Sequence, residues 1–124
     1  IADGAHNPDA VKKLVDSIDT LFPHESYKRI GVAGIFKDKD IDRMLNIMSG
    51  CFDEIHTVTP PGARGMNACV LADKTYDILK IKTTAHTDMC ADEVAEEIIC
   101  GIDECDKNQT VVVIFGSLSL RSQN

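Results

Sequence analysis

The run "TVVVIF" at 110–115 restricts what this chain can fold into more than any other stretch. Consecutive valines followed by Ile and Phe leave no face for water, so a strand of this kind needs cover on both sides. A parallel sheet between helices supplies that cover. The upstream pattern supplies the helices. Ala10, Val11, Leu14, Val15, Ile18, Leu21 and Phe22 recur at helical spacing, with Asn7 placed to cap and Pro8 at the first helical position. "YKRIGVAGIF" is β-rich, and Asp38 is expected to cap a helix with inner face Ile41, Met44, Leu45 and Met48, stopped by Gly50. "DEIHTV" reads as a strand and "TPPGARG" as a loop. Ala68, Leu71, Ala72, Thr75 and Leu79 mark a third helix starting near Asn67, and "KIKTTA" a weaker strand. Asp88 is expected to open a fourth helix through Ala91, Val94, Ala95, Ile98, Ile99 and Ile102.

With "IA" at the start taken as a strand, the order is β-α-β-α-β-α-β-α-β. Right-handed crossovers then give an α/β fold: a three-layer, mostly parallel, Rossmann-like sheet with helices on both faces. Strand order is not contained in this pattern.

A length of 124 residues fits one domain, and 44% apolar with 27% charged residues is the balance of a globular chain. The net charge of -7 opposes a nucleic-acid platform, and no apolar run is long enough to cross a membrane. No signal-peptide pattern heads the chain, and five Cys at scattered spacings suit a reducing compartment, so the expected location is the cytoplasm. Cys51, Cys69, Cys90, Cys100 and Cys105 form no CxxC pair, and His6, His24, His56 and His86 no HxxxH spacing. No metal site is expected; most of these Cys are expected to be small buried apolar residues, and His24 and His56 ordinary surface or boundary residues.

Ligands of open parallel sheets bind outside the carboxyl ends of the strands. The residues just past each expected strand are therefore the candidates for a site. After the first come Asp3, His6 and Asn7, and after the second "KDKD" from Lys37 to Asp40. Arg64 comes after the third, His86 and Asp88 after the fourth, Gly116 and Ser117 after the fifth. Lys37, Lys39 and Arg64 are expected to be half-buried and suited to a carboxylate or phosphate, Arg64 bidentately. Asp3 suits a ribose hydroxyl, and the first amides of the first helix suit a negative group. Plainer roles stand beside these: Asp3 and Asn7 as helix caps, "KDKD" as a solvated helix entry, and Asp92, Glu93, Glu96 and Glu97 as a solvated face. "FGSLSL" lacks the GxSxG of a nucleophile elbow, and neither GxxxxGK[ST] nor GxGxxG occurs in the chain.

"DGAHNP" at 3–8, "GIFKDKD" at 34–40, "DEIHTVTPPGAR" at 53–64 and "VVVIFGSL" at 111–118 together resemble the carboxyl-terminal domain of folylpolyglutamate and dihydrofolate synthases, within the Mur ligase family. The resemblance implies a single glutamate-binding domain over 1–124, with the amino-terminal ATPase domain and its phosphate loop elsewhere in a longer protein. It implies ATP and Mg²⁺ as cofactors of the complete enzyme, the metal ligands lying in that other domain. It implies L-glutamate and a folate or dihydropteroate-type acid as substrates. The acid is activated as an acyl phosphate, and the glutamate amine attacks it to give an amide, ADP and phosphate.

By the same resemblance Asp3 contacts the nucleotide, His6 is catalytic and lies with Ser117 near the glutamate, and Arg64 holds the glutamate carboxylate. Asn7, Lys37 and Lys39 are looser additions. Two places depart from the family pattern: Gly62 and Ala63 stand where related ligases often carry Asn–Pro, and Ser119 where Tyr is usual. The alternatives are a stand-alone α/β module binding a nucleotide or amino acid, and the corresponding domain of a murein-precursor ligase.

Overall fold

Among the described residues, three of the four α-helices begin where the sequence supplies an acceptor for their free amides. In the structure, a computed structural model that describes residues 7–116, helix α1 runs Pro8–Leu21, and the Asn7 side chain accepts from Ala10 N at 2.9 Å. Helix α3 (Ala68–Leu79) is capped twice: Asn67 Oδ1 accepts from Cys69 N at 2.8 Å and Thr59 Oγ1 from Ala68 N at 2.9 Å. Helix α4 (Ala91–Cys100) opens on a capping box in which Glu93 accepts from Cys90 N at 2.9 Å. Only α2 (Ile41–Ile47) has no side-chain cap; Asp40 holds that place and accepts through its backbone carbonyl.

Two expected caps are thereby corrected. Asp88 lies outside α4, because Cys90 paired with Glu93 satisfies the first amides. Asp38 turns to Arg64 instead of capping α2.

Strands β1 (Lys28–Gly34), β2 (Glu54–Val58), β3 (Lys82–His86) and β4 (Thr110–Gly116) form one sheet in the order β3-β2-β1-β4. All three pairings are parallel, as expected from the alternation of elements. "IA" at 1–2 lies outside the described residues. A 3₁₀ turn, Glu104–Gln109, which no periodicity in the sequence announces, leads into β4.

The residue alternation of the strands assigns the two faces. Ala33, Ile55, Val111, Val113 and Phe115 pack with α1, α2 and α3, while Ile30, Val32, Val58 and Val112 meet Ala91, Val94 and Ala95 of α4. Covered on both faces, β1 and β4 are buried almost throughout, which is why "TVVVIF" carries no polar face. Phe52 and Phe115 stack with centroids 5.5 Å apart at the middle of the larger core. Each fully buried side chain there, such as Val113, Leu71 or Ile18, contributes about 1.5–3 kcal/mol. Leu21, one of the apolar residues recurring at helical spacing in α1, is 62% exposed. Of the five thiols only Cys51 is buried, against the expectation that most would be, because Cys69, Cys90, Cys100 and Cys105 fall on exposed positions of helices, caps and turns.

At the amino-terminal edge of the sheet the core contains a charge. Arg29 is 1% exposed, and its Nε and Nη1 are both partnered. Nε donates to Phe22 O at 2.9 Å, Nη1 donates to Cys51 O at 3.0 Å and pairs with Asp19 at 2.9 Å. Its backbone exchanges bonds with Asp53, N to Oδ2 at 2.7 Å and O from Asp53 N at 2.8 Å. One side chain thus ties the end of α1 to the loop before β2. Burial pushes the adjoining Cys51 thiol up to about 11, which Arg29 only partly offsets.

Candidate functional site

The chain leaves β1 toward β2 and β3 on one side and returns through β4 on the other, so the direction of winding reverses between β1 and β4. The crevice outside their carboxyl ends is the place this topology gives to a ligand. Glycines line it: Gly34 ends β1 and Gly116 ends β4, paired in register. Gly116 has φ 108°, and a Cβ there would collide with the Gly34 carbonyl oxygen. The backbones therefore approach each other at the rim with no side chain between them.

A strap ties the segment after β1 to the loop after β2: Lys37 N donates to Arg64 O at 2.7 Å, Met66 N donates to Ile35 O at 2.9 Å, and Phe36 bridges Gly65 antiparallel. Gly65 is required, since a Cβ would strike the Pro60 carbonyl oxygen. Arg64 rides on this strap. Its guanidinium carbon lies 4.5 Å from the Phe36 ring centroid, and Nη2 donates to Asp38 Oδ2 at 3.0 Å. That hydrogen bond is the chief cause holding the Asp38 carboxyl below the usual carboxylate range.

The sequence-predicted residues divide into four groups, of which His86 is the last. Arg64 and Lys37 come together at the rim, both exposed; Lys39 beside them is half-buried. The expectation that all three are half-buried is corrected for Arg64 and Lys37, which lie in the connections after β1 and β2 and not within the strands. Asn7 is a helix cap in this structure, the plainer of its two roles. Asp3, His6 and Ser117 lie outside the described residues.

His86 does not join the rim cluster. It ends β3, and its Nε2 lies 2.9 Å from Nδ1 of His56 on β2, whose Nε2 is 3.0 Å from Glu54 Oε1. A carboxylate only accepts, so His56 Nε2 is the donor to Glu54 Oε1. The ring centroids are 5.1 Å apart with planes 25° from parallel. Lys28 and Lys82 also pair with Glu54, at 3.5 and 3.9 Å. Burial raises the Glu54 carboxyl, but His56 and the two ammonium groups together outweigh it and hold it low. Burial and the neighbouring His56 lower His86, with Glu97 opposing.

His56 is thus no ordinary boundary residue. The available signal was its alternation: Glu54, His56 and Val58 share one face of β2. Among the described residues no group of three or more His, Cys, Asp or Glu is placed to hold a metal ion. Among those residues, too, no helix is long and apolar enough to cross a membrane.

With this geometry the chain resembles known proteins along nearly its whole length. It is 31% identical over 118 residues to the dihydrofolate synthase/folylpolyglutamate synthase of Haemophilus influenzae, covering 94% of this chain and 26% of that protein. It is 30% identical over 122 residues to the folylpolyglutamate synthase of Lacticaseibacillus casei, covering 98% and 25%. The chain therefore spans about a quarter of the length of these curated relatives.

Solved structures agree on the fold. A Mycobacterium tuberculosis folylpolyglutamate synthase complexed with ADP matches with TM-score 0.75 at 23% identity, over 93% of this chain and 26% of that one. A bifunctional Yersinia pestis folylpolyglutamate synthase/dihydrofolate synthase complexed with AMPPNP and Mn ion gives 0.71 at 27%, over 93% and 25%. The glutamate ligase domain model of the Mur ligases runs through residues 1–118, and by that match this chain belongs to the Mur ligase glutamate-ligase-domain family.

Proposed function

We propose that this chain is the carboxyl-terminal, glutamate-binding domain of a larger ATP-dependent ligase of the folylpolyglutamate or dihydrofolate synthase kind. The observation that carries this reading is the family match through residues 1–118, taken with relatives four times as long that make folate-type products by name. Both curated relatives are folate ligases, which favours that branch over a murein-precursor enzyme. Five free thiols support a reducing compartment, the cytoplasm.

In this reading ATP and Mg²⁺ supply the activation of the folate carboxylate, held mainly by the ATPase domain. No described residue set here fits a metal, and no phosphate loop occurs in the sequence. What this domain contributes is the second substrate. L-Glutamate enters the crevice beyond Gly34 and Gly116, where the absence of side chains lets the main chain of the ligand lie close. Arg64, held by Phe36 and its loop, anchors a glutamate carboxylate, and Lys37, which forms no ion pair among the described residues, adds positive potential. His6 and Ser117 orient the amine, and Asp3 reaches toward the nucleotide across the domain cleft. The amine then attacks with its nitrogen lone pair while closure of the two domains keeps water from the acyl phosphate.

The test is Arg64→Ala in the complete ligase. Losing a charge-assisted anchor raises the KM for L-glutamate about ten-fold, with the KM for ATP nearly unchanged. Equal effects on the two constants would remove Arg64 from the carboxylate role.

A further inference from the structure

The Arg64 guanidinium already holds a carboxylate. Asp38 Oδ2 meets Nη2 at 3.0 Å through a single hydrogen bond, and both side chains are largely in solvent, Arg64 63% and Asp38 59% exposed. Two facts make this pair unlike an incidental surface contact. The arginine is pre-placed: its guanidinium carbon lies 4.5 Å from the Phe36 ring centroid, and two backbone hydrogen bonds fix its loop to the segment after β1. The aspartate, by contrast, sits in the turn between β1 and α2 with no helix-capping bond to make, since Asp40 occupies the cap position of α2. A cation set against Phe36 therefore faces a carboxylate whose other hydrogen bond is local, to its own backbone.

Arginine and carboxylate bind best through two parallel hydrogen bonds. The single bond to Asp38 uses one edge of the fork incompletely, the arrangement that an incoming carboxylate of better geometry displaces.

We propose that Asp38 is an internal stand-in for the substrate carboxylate: it occupies Arg64 in the empty site and is displaced when L-glutamate binds. This rests on the reading of Arg64 as the glutamate anchor. Asp38 then sets specificity through competition. A ligand lacking a carboxylate at that position leaves the Asp38–Arg64 pair intact, whereas glutamate exchanges one ion pair for a better one. The released Asp38 finds positive potential at its neighbour Lys39, which already acts on it electrostatically.

The competition has a sign that a merely structural role does not share. If Asp38 competes, removing its charge frees Arg64 and the KM for glutamate falls. If Asp38 only props Arg64 in place, the same change loosens the anchor and the KM rises.

The experiment is steady-state kinetics of the complete ligase with saturating ATP and folate substrate, comparing wild type, Asp38→Asn, Asp38→Glu and Arg64→Ala. Exposed ion pairs are weak, so Asp38→Asn is expected to lower the KM for L-glutamate about two- to five-fold. The KM for ATP should stay constant, and Asp38→Glu should restore a value near wild type. An unchanged or raised KM for glutamate in Asp38→Asn overturns the proposal. Arg64→Ala separates the two levels. A raised glutamate KM there, with Asp38→Asn inert, sinks only the stand-in role; an unaffected glutamate KM in Arg64→Ala sinks the anchor reading and the stand-in with it.

Discussion

Replacing Arg29 by Ala would strip the donors from Phe22 O and Cys51 O and leave a void at the sheet edge. Asp19, its ionic partner, is 57% exposed and is rehydrated, so the loss falls short of that for a fully buried pair. The expected destabilisation is roughly 2–4 kcal/mol, read from the urea midpoint of the chain, with Arg29→Lys recovering only part because an ammonium lacks the fork. Nothing in "YKRIGV" announced this burial. A charge next to Lys28 reads as a strand entering from solvent, and the carbonyls that Arg29 serves come from residues 22 and 51, which sequence spacing does not bring together. Arg64 is the opposite case. Its place after a strand, in a Gly- and Pro-rich loop, marked it as a rim residue, whereas the Phe36 ring beneath it was invisible because Phe36 read as the last apolar residue of a strand.

Between elements, the pairing of β2 with β3 is held on one face by the chain Glu54–His56–His86, with Lys28 of β1, Lys82 of β3 and Glu97 of α4 around it. In the unfolded chain His86 titrates near its ordinary 6.5; in the folded domain burial and His56 lower that value. From about 6.5 downward the unfolded chain thus binds more protons, and stability falls with pH. Glu54, also held low, adds a second loss as pH falls below the ordinary carboxylate value of 4.5. Urea midpoints at pH 7.5 and 5.5 should therefore drop on acidification in wild type and drop less in His86→Gln. An equal drop in both would mean that His86 is not responsible. The elements themselves were legible: α1, α3 and α4 come from apolar spacing, and β4 from its unbroken run. The boundary of β3 was not, since "KIKTTA" stops short of His86 and a half-covered edge strand has too few apolar residues to declare its length. Cap residues failed where two candidates competed, Asp88 against Cys90 with Glu93.

On the scale of the whole molecule, the sequence specified layers and parallel direction but not strand order, because order depends on which buried strands meet and not on the pattern within any of them. The crevice depends on that order, and so does the division of labour proposed for the complete enzyme. The chain carries no GxxxxGK[ST] loop to cradle a triphosphate. Mixed alone with ATP, L-glutamate and a folate substrate, it is expected to release no ADP above background; release that requires both glutamate and folate would overturn the proposed split of the site between domains. The register of β1 with β4 has a further consequence for how the molecule comes into being. Gly34 and Gly116 face each other from distant parts of the chain, while β1 and β2 are close neighbours in sequence. As the chain leaves the ribosome, β1 can pair with β2 early, but its other edge stays open until β4 has been synthesised. The crevice is thus assembled last, so that a chain unable to finish its fold lacks the site that the proposed role in glutamate binding would need.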